Sequence, residues 1–194
     1  TAKSKKPLTT RDNLSALIAS ARKILRKDKG LNGDVDRLPL LTWVMFLKFL
    51  DDLEFKHEQE AALDGKRYQP IIEKPYRWRD WATREDGITG DELLDFVGQE
   101  HAHRADGSFG QGLFAYLRSL GGKGEKGSQR EVIANVFKGV QNRMVSGYLL
   151  RDIVNKINGI HFSASEEIHT LSHLYESMLR EMRDAAGDSG EFYT

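Results

Sequence analysis

The chain has 194 residues, with 29 basic and 29 acidic side chains and no cysteine. That length suits one domain, or one domain and the start of another, and the lack of cysteine excludes disulfides and thiolate metal sites. No apolar stretch reaches the roughly 20 residues that a membrane-spanning helix needs, so we expect no membrane segment and a cytoplasmic protein.

Charge is unevenly distributed along this neutral chain. The net charge is +6 over residues 1–37 and +5 over 109–162, while 38–70, 71–108 and 163–194 carry −2, −4 and −5. Two basic segments permit contact with DNA if they fold onto one face, but a neutral chain does not require such contact.

Helical periodicity predicts a mainly α protein with a helical bundle-like domain. After a flexible basic tail at residues 1–8, Thr10 or Asp12 is a candidate cap for a first helix that ends near Gly30. Residues 36–63 read as one long helix with Pro39 near its first turn. Its first half is apolar on all sides and should be central, whereas its charged second half should reach solvent.

The helical pattern breaks around residues 65–88, where we predict one irregular or short-hairpin insertion, with Ile71 and Ile72 as the β-favouring patch. Within it, "YRWRDWA" alternates aromatic residues with arginines. Such a pattern occurs where aromatic rings stack on nucleic acid, but tryptophans more often anchor an irregular segment to the core. We favour the anchor, with Asp80 pairing an arginine.

Five further helices follow the insertion. Four of them follow a serine or threonine that can cap the N-terminus of the helix, in three cases with a glutamate three residues later. A glycine loop at 121–128 separates the second of these helices from the third. The stretches are "ELLDFVGQEH" after Thr89 and Glu92, "GQGLFAYLRSL", "REVIANVFKGVQN" after Ser128, "GYLLRDIVNKINGI" from Ser146 to Gly159, and a last helix after Ser163 with Glu166.

The glycine loop lacks the lysine of a phosphate-binding motif, so we interpret it as mobile, with Lys123, Lys126 and Arg130 as candidate contacts to a DNA backbone. No metal site is expected. His101 and His103 would point to different sides of a helix end as solvated side chains.

The remaining histidines and the paired carboxylates suggest structural roles. His161, His169 and His173 flank a core stripe without an evident third ligand, and pairs such as Asp51–Asp52 and Glu166–Glu167 read as solvated helix faces or a match to a helix dipole. The sequence therefore contains no recognisable catalytic centre.

The end of the chain resembles a known family. "HLYESMLREMRDAAGDSGEFYT" is similar to the segment that leads into the catalytic domain of the methylase (modification) subunit of type I restriction-modification enzymes. "LTWVMFLKFLDDLEFKHE", "PYRWRDWA" and "SGYLLRDIVNKINGIHF" resemble stretches of that family's N-terminal helical domain, so the resemblance covers nearly the whole chain. The residues that match its Gly-Glu-Phe-Tyr/Phe-Thr motif are Gly190, Glu191, Phe192, Tyr193 and Thr194.

The resemblance implies a parent protein that transfers a methyl group from S-adenosylmethionine to the exocyclic amino group of adenine in DNA, with the target base flipped out of the duplex. Its implied partners are DNA, a specificity subunit, a second methylase subunit and a restriction subunit. Residues 9–162 would form the N-terminal helical domain. Residues 163–194 would hold a connecting helix and the first motif of the catalytic domain, with Gly190 to Thr194 lining the cofactor pocket.

That family's catalytic Asn-Pro-Pro-Phe/Tyr motif is missing, because no two of the four prolines are adjacent. We therefore expect no catalytic residue in this chain, no cofactor binding by it alone, and a fragment cut at the boundary of the catalytic domain. The alternative hypothesis is a stand-alone helical protein-interaction module whose last residues merely resemble the methylase motif.

Overall fold

A computed structural model describes residues 11–122 and 128–160, with side chains described from residue 16 onward. This part of the chain is mainly helical, as predicted, with one small two-stranded sheet. The helices are α1 (Arg11–Leu25), α2 (Asp34–Leu63), α3 (Trp78–Trp81), α4 (Gly90–Gly98), α5 (Leu113–Ser119), α6 (Gln129–Phe137) and α7 (Gly147–Asn158); the strands are β1 (His101–His103) and β2 (Phe109–Gln111).

Helix α2 runs through the centre, as its composition predicts. The apolar residues from 40 to 50 are buried on every side, and the aromatic rings of α5 and α6 cover one of these sides. Trp43 meets Phe114 edge to face at 5.0 Å between ring centroids, and Phe46 and Phe114 both pack on Phe137. Pro39 lies in the second turn rather than the first, because the helix already begins at Asp34.

Helix α7 packs against three other helices, α1, α2 and α4, and buries Leu150, Ile153 and Val154 completely. The predicted cap is confirmed, because the Ser146 hydroxyl accepts a hydrogen bond from the Leu149 N–H at 3.2 Å. A second predicted cap is confirmed at α6, where the Ser128 hydroxyl lies 3.3 Å from the backbone nitrogen three residues on.

The insertion between α2 and α4 is irregular, as predicted, and includes only the short helix α3. The anchor interpretation of its aromatics is confirmed: Trp78 and Trp81 are buried, and the Trp78 indole N–H donates to Asn158 Oδ1 at 3.0 Å. Asp80 pairs with Arg77 at 2.8 Å, also as predicted. Because both tryptophans face the core, neither is available to stack on a nucleic-acid base.

The hairpin lies elsewhere than the sequence suggested. No strand forms at Ile71–Ile72, where the backbone N–H groups instead point to Glu54, and the antiparallel pair is β1 with β2. The base of the hairpin packs directly on the last turn of α4, which ends at Gly98. A side chain at Gly112 would lie 1.9 Å from the Gln99 carbonyl oxygen, so this close approach requires glycine.

The prediction for His101 and His103 was wrong in its geometry. They lie on β1 rather than on a helix, and since side chains two apart in a strand share a face, both point to the same side. Both are exposed, as expected, while Ala102 between them is buried against the core.

A buried carboxylate joins α1 to α7. Asp28 is only 3% exposed and accepts hydrogen bonds from the backbone N–H groups of Gly30 at 2.8 Å, Val145 at 3.2 Å and Ser146 at 2.9 Å. A negative charge at the start of α7 also interacts favourably with that helix's dipole. This single side chain therefore fixes the loop after α1 against the loop before α7.

We expect Asp28→Ala to lower the free energy of unfolding by about 3 kcal/mol, because several buried N–H groups lose a charged acceptor. Urea denaturation measures the change. The matched control is Asp64→Ala, at an exposed position after α2, which should stay within about 0.5 kcal/mol of wild type. Equal stabilities of the two variants would contradict the role assigned to Asp28.

Candidate functional site

The most concentrated positive charge in the described residues is at the C-terminal end of α1. We call this surface the basic end of α1. All its side chains are exposed, and none forms an ion pair with a described carboxylate. It comprises Arg22, Lys23, Arg26, Lys27 and Lys29.

The local fold explains why this surface stays uncompensated. Asp28 is the one acidic residue among these cations, and its carboxylate points inward to the backbone of the loop before α7. The backbone of Arg143 packs against Gly30 at the end of this segment, and the 65%-exposed Arg143 side chain forms only a long 3.8 Å contact with Asp36. Cations at a helix C-terminus are also favoured by the helix dipole.

This arrangement suits a polyanion. Unpaired lysines and arginines on one exposed surface neutralise phosphates and release counterions when nucleic acid binds. The sequence alone shows five cations within residues 22–29, but it does not show that the Asp28 side chain points inward. The two basic segments do meet in the fold, since the Arg143 carbonyl oxygen, in 109–162, lies against Gly30, in 1–37.

The DNA contacts predicted from the glycine loop are only partly described. Lys123 and Lys126 lie outside the described residues. Arg130, at the start of α6, is half-buried and donates a hydrogen bond to the Pro70 carbonyl oxygen at 2.7 Å. That contact fastens the insertion to α6, so at least one of Arg130's donors is used within the fold.

The predicted cofactor-binding residues, Gly190 to Thr194, also lie outside the described residues, as do His161, His169 and His173. Within the described ranges no group of three or more histidines and carboxylates is arranged to hold a metal ion. The described helices likewise include none that is long and apolar enough to cross a membrane.

A charged network holds the insertion against the second half of α2. The Arg79 guanidinium donates to Asp51 at 3.0 Å and to Glu58 at 2.9 Å, and lies 5.2 Å from the centre of the Phe55 ring. The expectation that Asp51 belongs to a solvated face was therefore wrong. It is 8% exposed, because the insertion folds back over it and supplies Arg79.

Glu54, one turn after Asp51 on α2, forms hydrogen bonds with the insertion. It is buried and accepts hydrogen bonds from the Ile71 N–H and, at 3.1 Å, from the Tyr68 hydroxyl. Burial raises the pKa of Glu54, and burial together with the nearby Glu54 charge raises the pKa of Tyr68, so the phenol stays protonated as a donor. These contacts of Glu54 hold the insertion against α2 and are structural.

A second surface is formed where the hairpin meets α4. We call it the hairpin pocket, an open cavity of about 420 Å³. One wall carries exposed carboxylates and the other carries aromatic and imidazole rings. Its lining residues are Glu92, Asp95, Gln99, His101, Ala102, His103 and Phe109.

Three comparisons agree on what the chain is similar to. Residues 14–157 match the family model of the HsdM N-terminal domain. Over 182 residues the chain is 39% identical to the type I restriction enzyme EcoEI methylase subunit of Escherichia coli, covering 94% of this chain and 34% of that protein.

Solved structures give the same relationship. A modification subunit from Vibrio vulnificus, assigned to a type I restriction enzyme, is 67% identical with a TM-score of 0.84, over 96% of this chain and 38% of that subunit. A chain from a structure addressing complex assembly and conformational transition of the type I R-M system is 36% identical with a TM-score of 0.62. That match covers 97% of this chain and 34% of the other.

The burial of Glu54 predicts a pH dependence of the stability. Because burial raises the pKa of Glu54 above its usual 4.5, the folded state binds a proton more tightly than the unfolded state. Wild type should therefore lose stability relative to Glu54→Gln as the pH rises from 4.5 towards neutrality. Urea denaturation across that range measures the difference.

Glu85→Gln is the control, since Glu85 is exposed within the same insertion. Its stability relative to wild type should not change over the same pH range. A difference between wild type and Glu54→Gln that stays flat, or that favours wild type as the pH rises, would contradict the assigned effect of burial.

Proposed function

The chain belongs to the HsdM N-terminal domain family, and we propose on this basis that it serves a larger methylase subunit as its DNA-enclosing and assembly domain. It spans about a third of the length of the relatives that it matches. The activity, substrate and partners of the whole protein are therefore proposals that rest on the family.

For the parent protein we propose adenine-specific DNA methylation with S-adenosylmethionine as the methyl donor. The motif from Gly190 to Thr194 is our candidate for contact with that cofactor, and no residue that the structure describes is proposed to touch it. We assign no catalytic residue to this chain, because the Asn-Pro-Pro motif of the family is not in its sequence.

The role that we propose for this domain is to help enclose DNA and to contact neighbouring subunits. The observation that carries the DNA role is the basic end of α1, whose cations are exposed and lack described acidic partners. Phosphate contacts of this kind position a protein on DNA without reading its sequence. Reading the target would then belong to a separate specificity subunit.

The proposed partners are DNA, a specificity subunit, a second methylase subunit and a restriction subunit. An enzyme that modifies DNA works where the DNA is, so we propose a cytoplasmic site of action. The alternative of a stand-alone interaction module has no specific support in the described residues, and this chain covers only 34% of the matched methylase subunit and 38% of the matched modification subunit.

The proposed activity predicts a division of labour that can be measured. The 194-residue chain should neither bind S-adenosylmethionine in calorimetry nor transfer methyl groups to DNA. The full-length subunit with its specificity subunit should methylate adenine, detected by mass spectrometry of digested DNA. Tight cofactor binding by the 194 residues, or methylation at cytosine only, would refute this division.

Neutralising the basic end of α1 should weaken DNA binding by the assembled enzyme. With all five cations replaced by glutamine, we expect the slope of log affinity against log salt to shrink by about 0.9 for each phosphate that the variant no longer neutralises. The matched control replaces five other exposed cations with glutamine and should leave the slope unchanged. These are Lys66, Arg67, Lys74, Lys138 and Lys156.

The same assay separates the two candidate DNA surfaces. A variant with Lys123, Lys126 and Arg130 neutralised tests the glycine loop and the start of α6, independently of α1. If the salt slope is the same for the α1 variant, the control and wild type, the basic end of α1 is not in the DNA path.

A further inference from the structure

We propose that the hairpin pocket is a docking site for an arginine or lysine side chain of a neighbouring protein subunit. The inference rests on the proposed function only in assuming that this domain assembles with other subunits. It assigns a surface and a partner chemistry that the DNA role does not require.

The aromatic wall of the pocket has ordered ring contacts but lies in an exposed position. Phe109 on β2 lies directly opposite His103 on β1, and its ring meets the His103 imidazole edge to face at 5.2 Å. The His101 ring lies nearly parallel to it, 6.4 Å away. Phe109 is nevertheless 64% exposed, although burying its ring would be favourable. The two imidazoles thus orient an aromatic ring that the fold leaves open to a partner.

The opposite wall is acidic and uncompensated. Glu92 and Asp95 lie three residues apart on α4, so both carboxylates project on one side of that helix. Both are exposed, and neither forms an ion pair within the described part of the chain. The nearby Glu100, by contrast, is already paired with Arg118 at 3.1 Å.

These two walls fit an organic cation. A guanidinium or ammonium group is attracted to an aromatic ring and at the same time forms charge-assisted hydrogen bonds with carboxylates. The planar guanidinium of arginine suits a slot between a ring and two carboxylates best. A cavity of about 420 Å³ accommodates such a side chain.

The same features argue against the other occupants. The carboxylates would repel the phosphates of DNA, so this surface is suited to a protein rather than to the duplex. A metal ion is not favoured either, since the described residues hold no cluster with the required ligands. The basic end of α1 and the hairpin pocket therefore have opposite charge and different expected partners.

The main test reverses the charge of the acidic wall in the full-length methylase subunit. With Glu92→Lys and Asp95→Lys combined, we expect roughly tenfold weaker association with at least one partner, because a like charge now meets the docking cation. Association is measured separately for the specificity subunit, for a second methylase subunit and for the restriction subunit, by sedimentation and titration.

The control variant combines Asp64→Lys with Glu85→Lys, which changes the net charge equally at exposed positions that do not line the pocket. Phe109→Ala provides a second, independent variant, since an exposed ring contributes little to folding. It should weaken the same association about threefold to tenfold.

The outcomes are distinguishable. If all three associations are as strong for both pocket variants as for the control, the inference is overturned while the proposed function stands. Stronger DNA binding by the charge-reversed variant with unchanged assembly would also overturn it. If the wild-type subunits do not assemble at all, the proposed function itself fails.

Discussion

Residues 40–50 of α2 are apolar around almost the whole circumference of the helix, and the rest of the described structure depends on enclosing them. A helix of this kind cannot lie at a surface, because each face left in water would cost the free energy of apolar hydration. Helices α5 and α6 supply aromatic rings on one side, and α7 and the buried tryptophans of the insertion enclose the remaining sides. The order of the elements in space follows from this requirement.

Buried charges then fix the segments that apolar packing alone would leave free to slide. Asp28 holds the start of α7, Glu54 holds the insertion, and Arg151 on α7 donates to the Trp81 and Ala82 carbonyl oxygens at 3.2 and 3.1 Å. Each of these groups is nearly inaccessible to water and is satisfied largely by backbone atoms of a distant segment. A buried charge without such partners would be strongly destabilising, so these contacts have a defined geometry.

Because some charged side chains point inward and pair there, the charges left on the surface are unevenly distributed. With Asp28 turned inward, the end of α1 has only cations outside. In the hairpin pocket, Glu92 and Asp95 face an exposed phenylalanine and have no described cation as a partner. Although the chain has no net charge, its described residues therefore include a basic surface at the end of α1 and an acidic wall in the hairpin pocket. This separation is consistent with a domain that contacts both a polyanion and protein subunits.

Local sequence patterns predicted the helices and the caps at Ser128 and Ser146, because each depends on residues within a few positions of one another. The aromatic content of the insertion predicted that its two tryptophans are buried, although the partner of Trp78 is Asn158, 80 positions away. Local patterns did not determine where the hairpin forms, that His101 and His103 share a face, or that Asp51 is buried. Those outcomes depend on contacts between distant segments, such as the bond from Ser146 to Asp28 across 118 positions. Only the tertiary structure determines which charged side chains are buried and paired and which stay exposed to partners. The reason is that pairing depends on which distant segments apolar burial brings into contact.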